Sequence, residues 1–550
     1  MNRVAGLEQK QTNERLGIVV SGSLTGGLEV RLDGSASVED MAVGRYVTIQ
    51  GHKQRFFGMI TDVTLGVTDE KITQMPPDVS DPFIAEVLGG TSTYGTIHVQ
   101  PYLTLGVGSG AMTEEPQPVK TVPGHFAPVS LASDRDMETI FGKEDKETFL
   151  IGNPLDMETK LCLNLEKFVA RSNGIFGKSG TGKTFLTRIL LIGMLQKSKA
   201  VNLIFDMHNE YGWEGSSEGA SRKVKGLKQW GQSKVAIFTL DNENSASRKV
   251  PTDFSVQIGY DEITPEDISV LRATLNLTDL AVEAAYQVSR RFGRSWIRQL
   301  LQMSDEELEE QLEGSNIHES SLQSLKRGLR TFERLGFVVP QAPEDAVRRI
   351  LEYLDRGISV VLEFGRYRDV SAYLLVANML SRRIYARYQD RSEKARANDT
   401  PLPQPLVITI EEAHKFLNTE VAGKTVFGTI AREMRKYNVS LLVIDQRPSG
   451  IDEEVMSQLG TKITCLLDNE KDIDSVLAGV SGKNELKSVL ARLAAKQQAL
   501  IFGHSVPMPV AFQPREYGSA ESYKKFGLVA EADVKKQNAK DIEELFGEPS

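Results

Sequence analysis

Residues Gly177 to Thr184 read Gly-Lys-Ser-Gly-Thr-Gly-Lys-Thr, a full match to the G-x-x-x-x-G-K-[ST] spacing of a phosphate-binding loop. The octad stands between an apolar run, Gly174-Ile175-Phe176, and an amphipathic stretch from Phe185 to Leu195. Strand, Gly-rich loop and helix are therefore expected in that order, at the carboxyl edge of a parallel sheet. Backbone N–H groups of Gly177, Lys178, Ser179, Gly180, Thr181 and Gly182 are expected to surround the phosphates of a nucleotide, helped by the partial positive charge of the helix N-terminus. Lys183 is expected to neutralise the β- and γ-phosphates and Thr184 to ligate Mg²⁺, which makes ATP and Mg²⁺ the expected cofactors. A purely structural Gly turn is the competing reading, and the flanking strand and helix count against it.

At 550 residues the chain is long for one domain and is expected to form roughly two to four. A hydrophobic content of 40% and a charged content of 25% describe an ordinary globular protein. No apolar run approaches the roughly 18 residues of a membrane helix, and the segment from Met1 to Arg15 is polar, so a cytoplasmic protein without a membrane partner is expected. The two cysteines, Cys162 and Cys465, are too few and too far apart for a disulfide framework or a thiolate metal site and read as buried apolar residues. A formal net charge of −9 counts against a protein coated in nucleic acid, but it leaves room for a local basic surface such as a channel lining.

From Arg15 to Leu105 the sequence shows short β-type runs, among them Gly17 to Val20, Leu28 to Leu32, Tyr46 to Ile49, Phe56 to Val63 and Gly95 to Val99. Gly-, Asp- and Ser-rich turns separate them, the pattern of a small barrel or sandwich. Gly106 to Phe126, rich in Gly, Pro, Glu and Thr, reads as a linker. After the phosphate-binding loop, apolar runs at Val201 to Phe205 and Val235 to Leu240 alternate with helical pattern, which predicts a parallel α/β sheet. Between Asp261 and Phe337 the pattern is helical throughout, opening at Thr264-Pro265-Glu266-Asp267 and again at Ser304-Asp305-Glu306-Glu307. Strand-like runs resume at Ser359 to Glu363, Leu406 to Ile410, Ser440 to Ile444, Lys462 to Leu467 and Ala499 to Ile501. Beyond Tyr517, with Lys535-Lys536 and Glu543-Glu544, a charged surface helix is expected.

The run Leu406 to Ile410 ends in Glu411-Glu412-Ala413-His414, two adjacent carboxylates after a buried strand. A nucleotide-hydrolysing site needs one acid for the Mg²⁺ hydration shell and a second to orient or deprotonate the attacking water. Glu411 fits the first role and Glu412 the second; the competing reading is a solvated helix start, where Glu is favoured by the dipole. Ser440 to Ile444 leads into Asp445-Gln446-Arg447-Pro448-Ser449, where Gln446 is the candidate γ-phosphate sensor and a turn set by Pro448 the alternative. In Ile430 to Tyr437, Arg432 and Arg435 are three apart and share a helical face. They are either candidate fingers for a neighbouring subunit's γ-phosphate or a plain solvated basic face.

In their order along the chain these residues resemble the HerA family, in the FtsK/HerA branch of P-loop ATPases. The resemblance takes in Arg171 to Gly177, the Asp-x-His-x-Glu-Tyr segment at Asp206 to Tyr211, the helical insertion, Glu411 to His414, Arg435 to Tyr437 and Gln446 to Ser449. It departs at Glu411, where Asp is the frequent family residue. It implies a RecA-like parallel-sheet P-loop ATPase core with a helical insertion, preceded by a small β-barrel of the HerA–ATP synthase type. The implied domains are the barrel at 1–105, a linker at 106–145, the core at 146–258 and 341–515, the insertion at 259–340 and a charged tail at 516–550. It further implies Arg435 as the trans finger and Arg171 as a second nucleotide-contacting arginine. Asp206 and Glu210 are implied at a second acidic strand end, for coupling to DNA or for contact with ATP.

By the same resemblance the chain is expected to be a homohexameric ring that moves double-stranded DNA through its pore and works with a NurA-type nuclease. Ser245 to Lys249 is a candidate pore loop. Another implied role is an ATP-switched scaffold for a nuclease or NAD-consuming effector in antiphage defence, docked on the barrel. A conjugation or secretion motor is disfavoured, because such relatives usually carry membrane helices or a coupling domain.

Overall fold

The computed structural model describes residues 15–526, apart from 79, 108–114, 218–219, 313–316, 434–435, 481 and 495–496. The chain divides into two units, Met1–Asn164 with Thr461–Pro514, and Leu165–Gly460 with Arg515–Ser550.

In the first unit, antiparallel strands Gly27–Leu32, Arg15–Ser23, Pro128–Leu131, Tyr46–Gln50, Gln54–Val67 and Thr93–Gly106 follow one another in that order. The pairing of Leu28 to Arg31 with Val99 to Thr96 closes them into a barrel. Closure leaves no free edge among these six staves, and alternate side chains such as Val19, Val30, Ile49, Ile60, Val99 and Val129 fill the interior. The interval 106–145, expected as a linker, thus supplies a stave. Pro128–Leu131 is four residues long, too short for a period-two signal, and it is a strand because it hydrogen-bonds to Arg15–Ser23 on one side and Tyr46–Gln50 on the other. The same interval holds the helix Asp134–Phe141, started by a capping box between Ser133 and Asp136.

A second antiparallel ribbon of the first unit runs Thr461–Thr464, Ala499–Gly503, Val510–Pro514, Thr148–Pro154 and Leu161–Asn164. The expected core boundaries at 146 and 515 therefore shift inward, because these strands group with the barrel. Tyr46 joins barrel and ribbon: its hydroxyl accepts from the Ala511 N–H at 3.0 Å and donates to the Pro509 carbonyl at 3.3 Å.

The second unit is built on seven parallel strands in the order Phe254–Ser255, Val235–Thr239, Ser359–Glu363, Val201–Asp206, Leu406–Glu411, Val439–Asp445 and Asn173–Phe176. The central strands are buried along their whole length, as a sheet covered on both faces requires. Helices Lys183–Lys197 and Val370–Ala397 supply much of that cover.

The helical insertion leaves the sheet after Phe254–Ser255, and its two ends are pinned by the parallel pairing of Ile258–Gly259 with Val338–Val339. Capping boxes at Thr264/Asp267 and Ser304/Glu307 start two of its helices. Its core is centred on Trp296, which is fully buried and donates its indole N–H to the Ile263 carbonyl at 3.1 Å. Arg382 and Arg383, on Val370–Ala397, tie the insertion to that helix through Asp267 at 2.8 Å and through Glu262.

Of the expected charged tail, the described part is the helix Ala520–Lys525. Beside it Tyr517 and Phe526 pack against each other and onto Phe185 and Trp230. Lys535-Lys536 and Glu543-Glu544 lie outside the described residues. No helix among the described residues is long and apolar enough to cross a membrane.

Candidate active site

Sheet order brings the site together. Val439–Asp445 lies between the phosphate-binding-loop strand and the two-carboxylate strand, with Phe176 opposite Asp445 and Glu411 opposite Ile444. Three neighbouring carboxyl ends therefore present the phosphate-binding loop, Gln446 and Glu411-Glu412 to one cleft of about 290 Å³. Its walls include Ser179, Gly180, Gly182, Lys183 and Thr184 from the loop, Glu411, Glu412, Asp445 and Gln446 opposite, and His208 and Glu210 beside them.

The loop has the backbone its sequence demands. Gly180 and Gly182 sit at φ 78° and 97°, where an L side chain is strained. A Cβ on Gly182 would meet nothing within 4 Å, so conformation rather than crowding requires glycine there. The Lys178 carbonyl points inward and accepts from Thr181 Oγ1 at 2.8 Å and Lys183 Nζ at 2.7 Å. That arrangement holds the ammonium inside the loop. Thr181 is buried. Upstream, Ser172 Oγ accepts from the Leu441 N–H at 3.0 Å and Asn173 Nδ2 donates to the Phe168 carbonyl at 2.6 Å. These bonds fix the strand that feeds the loop.

The two acids differ in environment. Glu412 is half-buried at φ 49°, a left-handed conformation that costs a non-glycine residue about 1–3 kcal/mol. The backbone on either side pins it there: Tyr373 Oη accepts from the Glu411 N–H at 3.0 Å and donates to the Glu411 carbonyl at 3.1 Å, and the Lys415 N–H reaches the Glu412 carbonyl at 2.9 Å. The result turns the Glu412 carboxylate into the cleft, where Gln446 Nε2 donates to it at 3.0 Å. Glu411, in the wall of the same cleft, is the more deeply buried of the two. Burial, with Asp206 and Glu210 nearby, pushes its carboxyl up to about 8. Its Oε1 accepts from Tyr211 Oη at 2.9 Å, while Oε2 is buried without a hydrogen-bond partner among the described residues.

The unpartnered Glu411 Oε2 and the Thr184 hydroxyl belong to the same cleft, and oxygen ligands of this kind fit a hard divalent cation. His414 stands behind the pair: its backbone N–H and Nδ1 meet the Asp445 carboxylate at 2.6 and 3.0 Å, and that hydrogen bond raises its pKa.

Other expected residues fall elsewhere. Arg432 is exposed and pairs with Glu454 at 3.2 Å within its own chain, outside the cleft lining. Arg435 lies outside the described residues. Arg171 precedes the loop strand and packs its side chain on Gly460, away from the cleft lining. Asp206 is fully buried and is a backbone anchor rather than a cleft residue, whereas Glu210 lines the cleft. In the candidate pore loop Ser245 is buried and Arg248 donates to the buried Glu363 at 2.8 Å, while Lys249 is exposed. The pull of that carboxylate, placed there by the neighbouring strand, was invisible in the local sequence.

Residues the sequence reading left without a role are Arg188, Tyr211, Tyr373 and the His414–Asp445 pair. Arg188 had a usable signal, one turn after Thr184 on the same helix face. Tyr373 had none, since it lies 38 residues from Glu411 in sequence.

A phosphate-binding loop opening a helix at the edge of a parallel sheet, faced by paired carboxylates, defines a P-loop nucleoside-triphosphatase site. Residues 149–384 match the family model described as helicase HerA, central domain, and residues 16–99 match the HAS barrel domain. Over these two segments the chain is similar to the HerA helicases.

Among its relatives, the DNA double-strand break repair helicase HerA of Sulfurisphaera tokodaii is 23% identical over 521 residues, 90% of this chain and 91% of that protein. The protein of the same name from Sulfolobus acidocaldarius is 26% identical over 392 residues, 70% of this chain and 71% of its own. Similar solved structures include the plasmid coupling protein TrwB in complex with ADP and Mg²⁺, at TM-score 0.47 and 11% identity, covering 71% of this chain and 94% of that one. VirB4 of Thermoanaerobacter pseudethanolicus is similar at TM-score 0.45 and 12% identity, covering 70% and 100%.

Proposed function

We propose that this chain hydrolyses ATP with Mg²⁺ and uses the energy, as a ring of identical subunits in the cytoplasm, to translocate on double-stranded DNA. The observation that carries the reading is Glu412, held in a strained backbone so that its carboxylate meets Gln446 opposite the phosphate-binding loop. Lys183 and the loop N–H groups bind the phosphates, and Thr184 and Glu411 hold the cation. When bound, Mg²⁺ would supply neutralisation of the phosphate charge. Glu412 orients the attacking water and takes its proton, and Gln446, tied to Glu412, reports the state of the γ-phosphate to the strand behind it.

Within one chain the described cleft holds Lys183 and the inward Arg188 as its basic side chains besides His208, which leaves the outer face for an arginine from a neighbour. Arg435 is the proposed finger, with Arg432, already paired to Glu454, the weaker candidate. Arg171 is proposed to reach a nucleotide across the same boundary. DNA as the partner follows from the names of the relatives, which are DNA double-strand break repair helicases. A NurA-type nuclease docked on the barrel is proposed on the same family ground.

The test is ATP turnover with and without double-stranded DNA across a salt series. Stimulation that weakens steeply as salt rises is expected, because phosphate contacts release counterions. Turnover indifferent to DNA at low salt sinks the translocase reading. A Glu412→Gln chain that binds ATP and still activates a partner effector points instead to the ATP-switched scaffold.

A further inference from the structure

The segment from Asp206 to Tyr211 follows its strand into a tight turn. The buried Asp206 carboxylate accepts the N–H groups of Glu210, Tyr211 and Gly212 at 2.8, 2.7 and 3.2 Å. Asn209, at φ 57°, locks the turn to the next strand by exchanging two side-chain bonds with Gly365, at 3.0 and 2.9 Å. Arg188, rising from the phosphate-binding-loop helix, donates to the Glu210 carbonyl and lies 6.0 Å from the centre of the Tyr211 ring. So much backbone fixation around one buried tyrosine has one visible product: its hydroxyl lies 2.9 Å from Glu411 Oε1.

We propose that Tyr211 is a positioning residue for the divalent cation, its hydroxyl holding Glu411 by Oε1 so that Oε2 is kept for the metal. This rests on the reading of Glu411 as the cation's acid. A glutamate at a strand end has free side-chain torsions, and one donor on one oxygen selects a single orientation. A tyrosine suits that task better than a lysine or arginine would, because it binds the carboxylate without cancelling the charge the metal needs. Tyr373 plays a different part, since it touches only the Glu411 backbone. The phosphate-binding loop thereby acquires a mechanical link to the strand end beyond the carboxylates, through Arg188 and the Asp206 turn.

The experiment measures Mn²⁺ affinity by electron paramagnetic resonance in the presence of ADP, together with the Mg²⁺ concentration for half-maximal ATP turnover. Wild type, Tyr211→Phe, Tyr373→Phe and Glu411→Gln are compared, with thermal melting as the measure of fold. Tyr211→Phe is expected to weaken Mn²⁺ binding about 10- to 100-fold and raise the Mg²⁺ requirement to match, the range found for groups that orient metal ligands. Its affinity for ADP without metal should not move. Tyr373→Phe should lower the melting temperature with a much smaller effect on Mn²⁺. An unchanged Mn²⁺ affinity in Tyr211→Phe, or an equal loss in both tyrosine variants, overturns the positioning role. Glu411→Gln that binds Mn²⁺ like wild type overturns the assignment of the acid itself, a separate failure.

Discussion

Glu412 and Glu363 show how neighbours decide what a carboxylate does. Glu412 sits in the cleft against Gln446. Replacing it by Gln keeps the shape and removes the base, so ATP binding should persist while turnover falls about 10²- to 10⁴-fold, measured by phosphate release and fluorescent-nucleotide titration. Glu363 is fully enclosed, and burial beside Asp206 pushes it from an ordinary value near 4.5 up to about 7 although Arg248 pulls the other way. Between those two values the folded chain keeps a proton that the unfolded chain releases. The stabilising contribution is therefore complete below the lower value and is lost as pH rises to the upper one. Melting curves from pH 4.5 to 8 should show a decline in wild type that is shallower in Glu363→Gln, whose side chain does not titrate. Parallel slopes in the two proteins would remove Glu363 as the cause.

The phosphate-binding loop was legible as an element because strand, Gly spacing and helix are all local. The two carboxylates were legible for the same reason, as a strand end. The stave Pro128–Leu131 was not, since four residues carry no periodicity and only its two partners make it a strand. The helical insertion lies between these cases. Capping boxes announced its helices, whereas the strand pair Ile258–Gly259 and Val338–Val339 that closes its root joins residues far apart in sequence. Trp296 fills its interior, so Trp296→Ala should destabilise the insertion by about 3–5 kcal/mol in chemical denaturation. With its root closed by its own strand pair, nucleotide affinity should be retained. Loss of nucleotide binding in that variant would show that insertion and cleft fold as one cooperative body.

For the whole molecule, the proposed ring makes a prediction about mixtures. If Arg435 completes a neighbour's site, a chain lacking the finger and a chain lacking Glu412 are each inactive alone but complementary together. Arg435→Ala mixed with Glu412→Gln should recover a measurable fraction of wild-type turnover, at boundaries where an intact cleft meets an intact finger. Strict additivity of two inactive proteins would place all catalytic groups in one subunit. Mass measurement with and without ATP and DNA reports the ring directly. The sequence by itself determined the phosphate-binding loop, the place of two carboxylates at a strand end and the alternation of barrel, sheet and insertion, because each rests on contiguous residues whose spacing carries the physics. Only the tertiary structure decided that Val439–Asp445 lies between the loop and the acids, that Arg248 turns inward, and that Tyr211 and Tyr373 hold Glu411. Those are contacts between segments distant in sequence, set by which strands pair and by how a buried charge finds its partner.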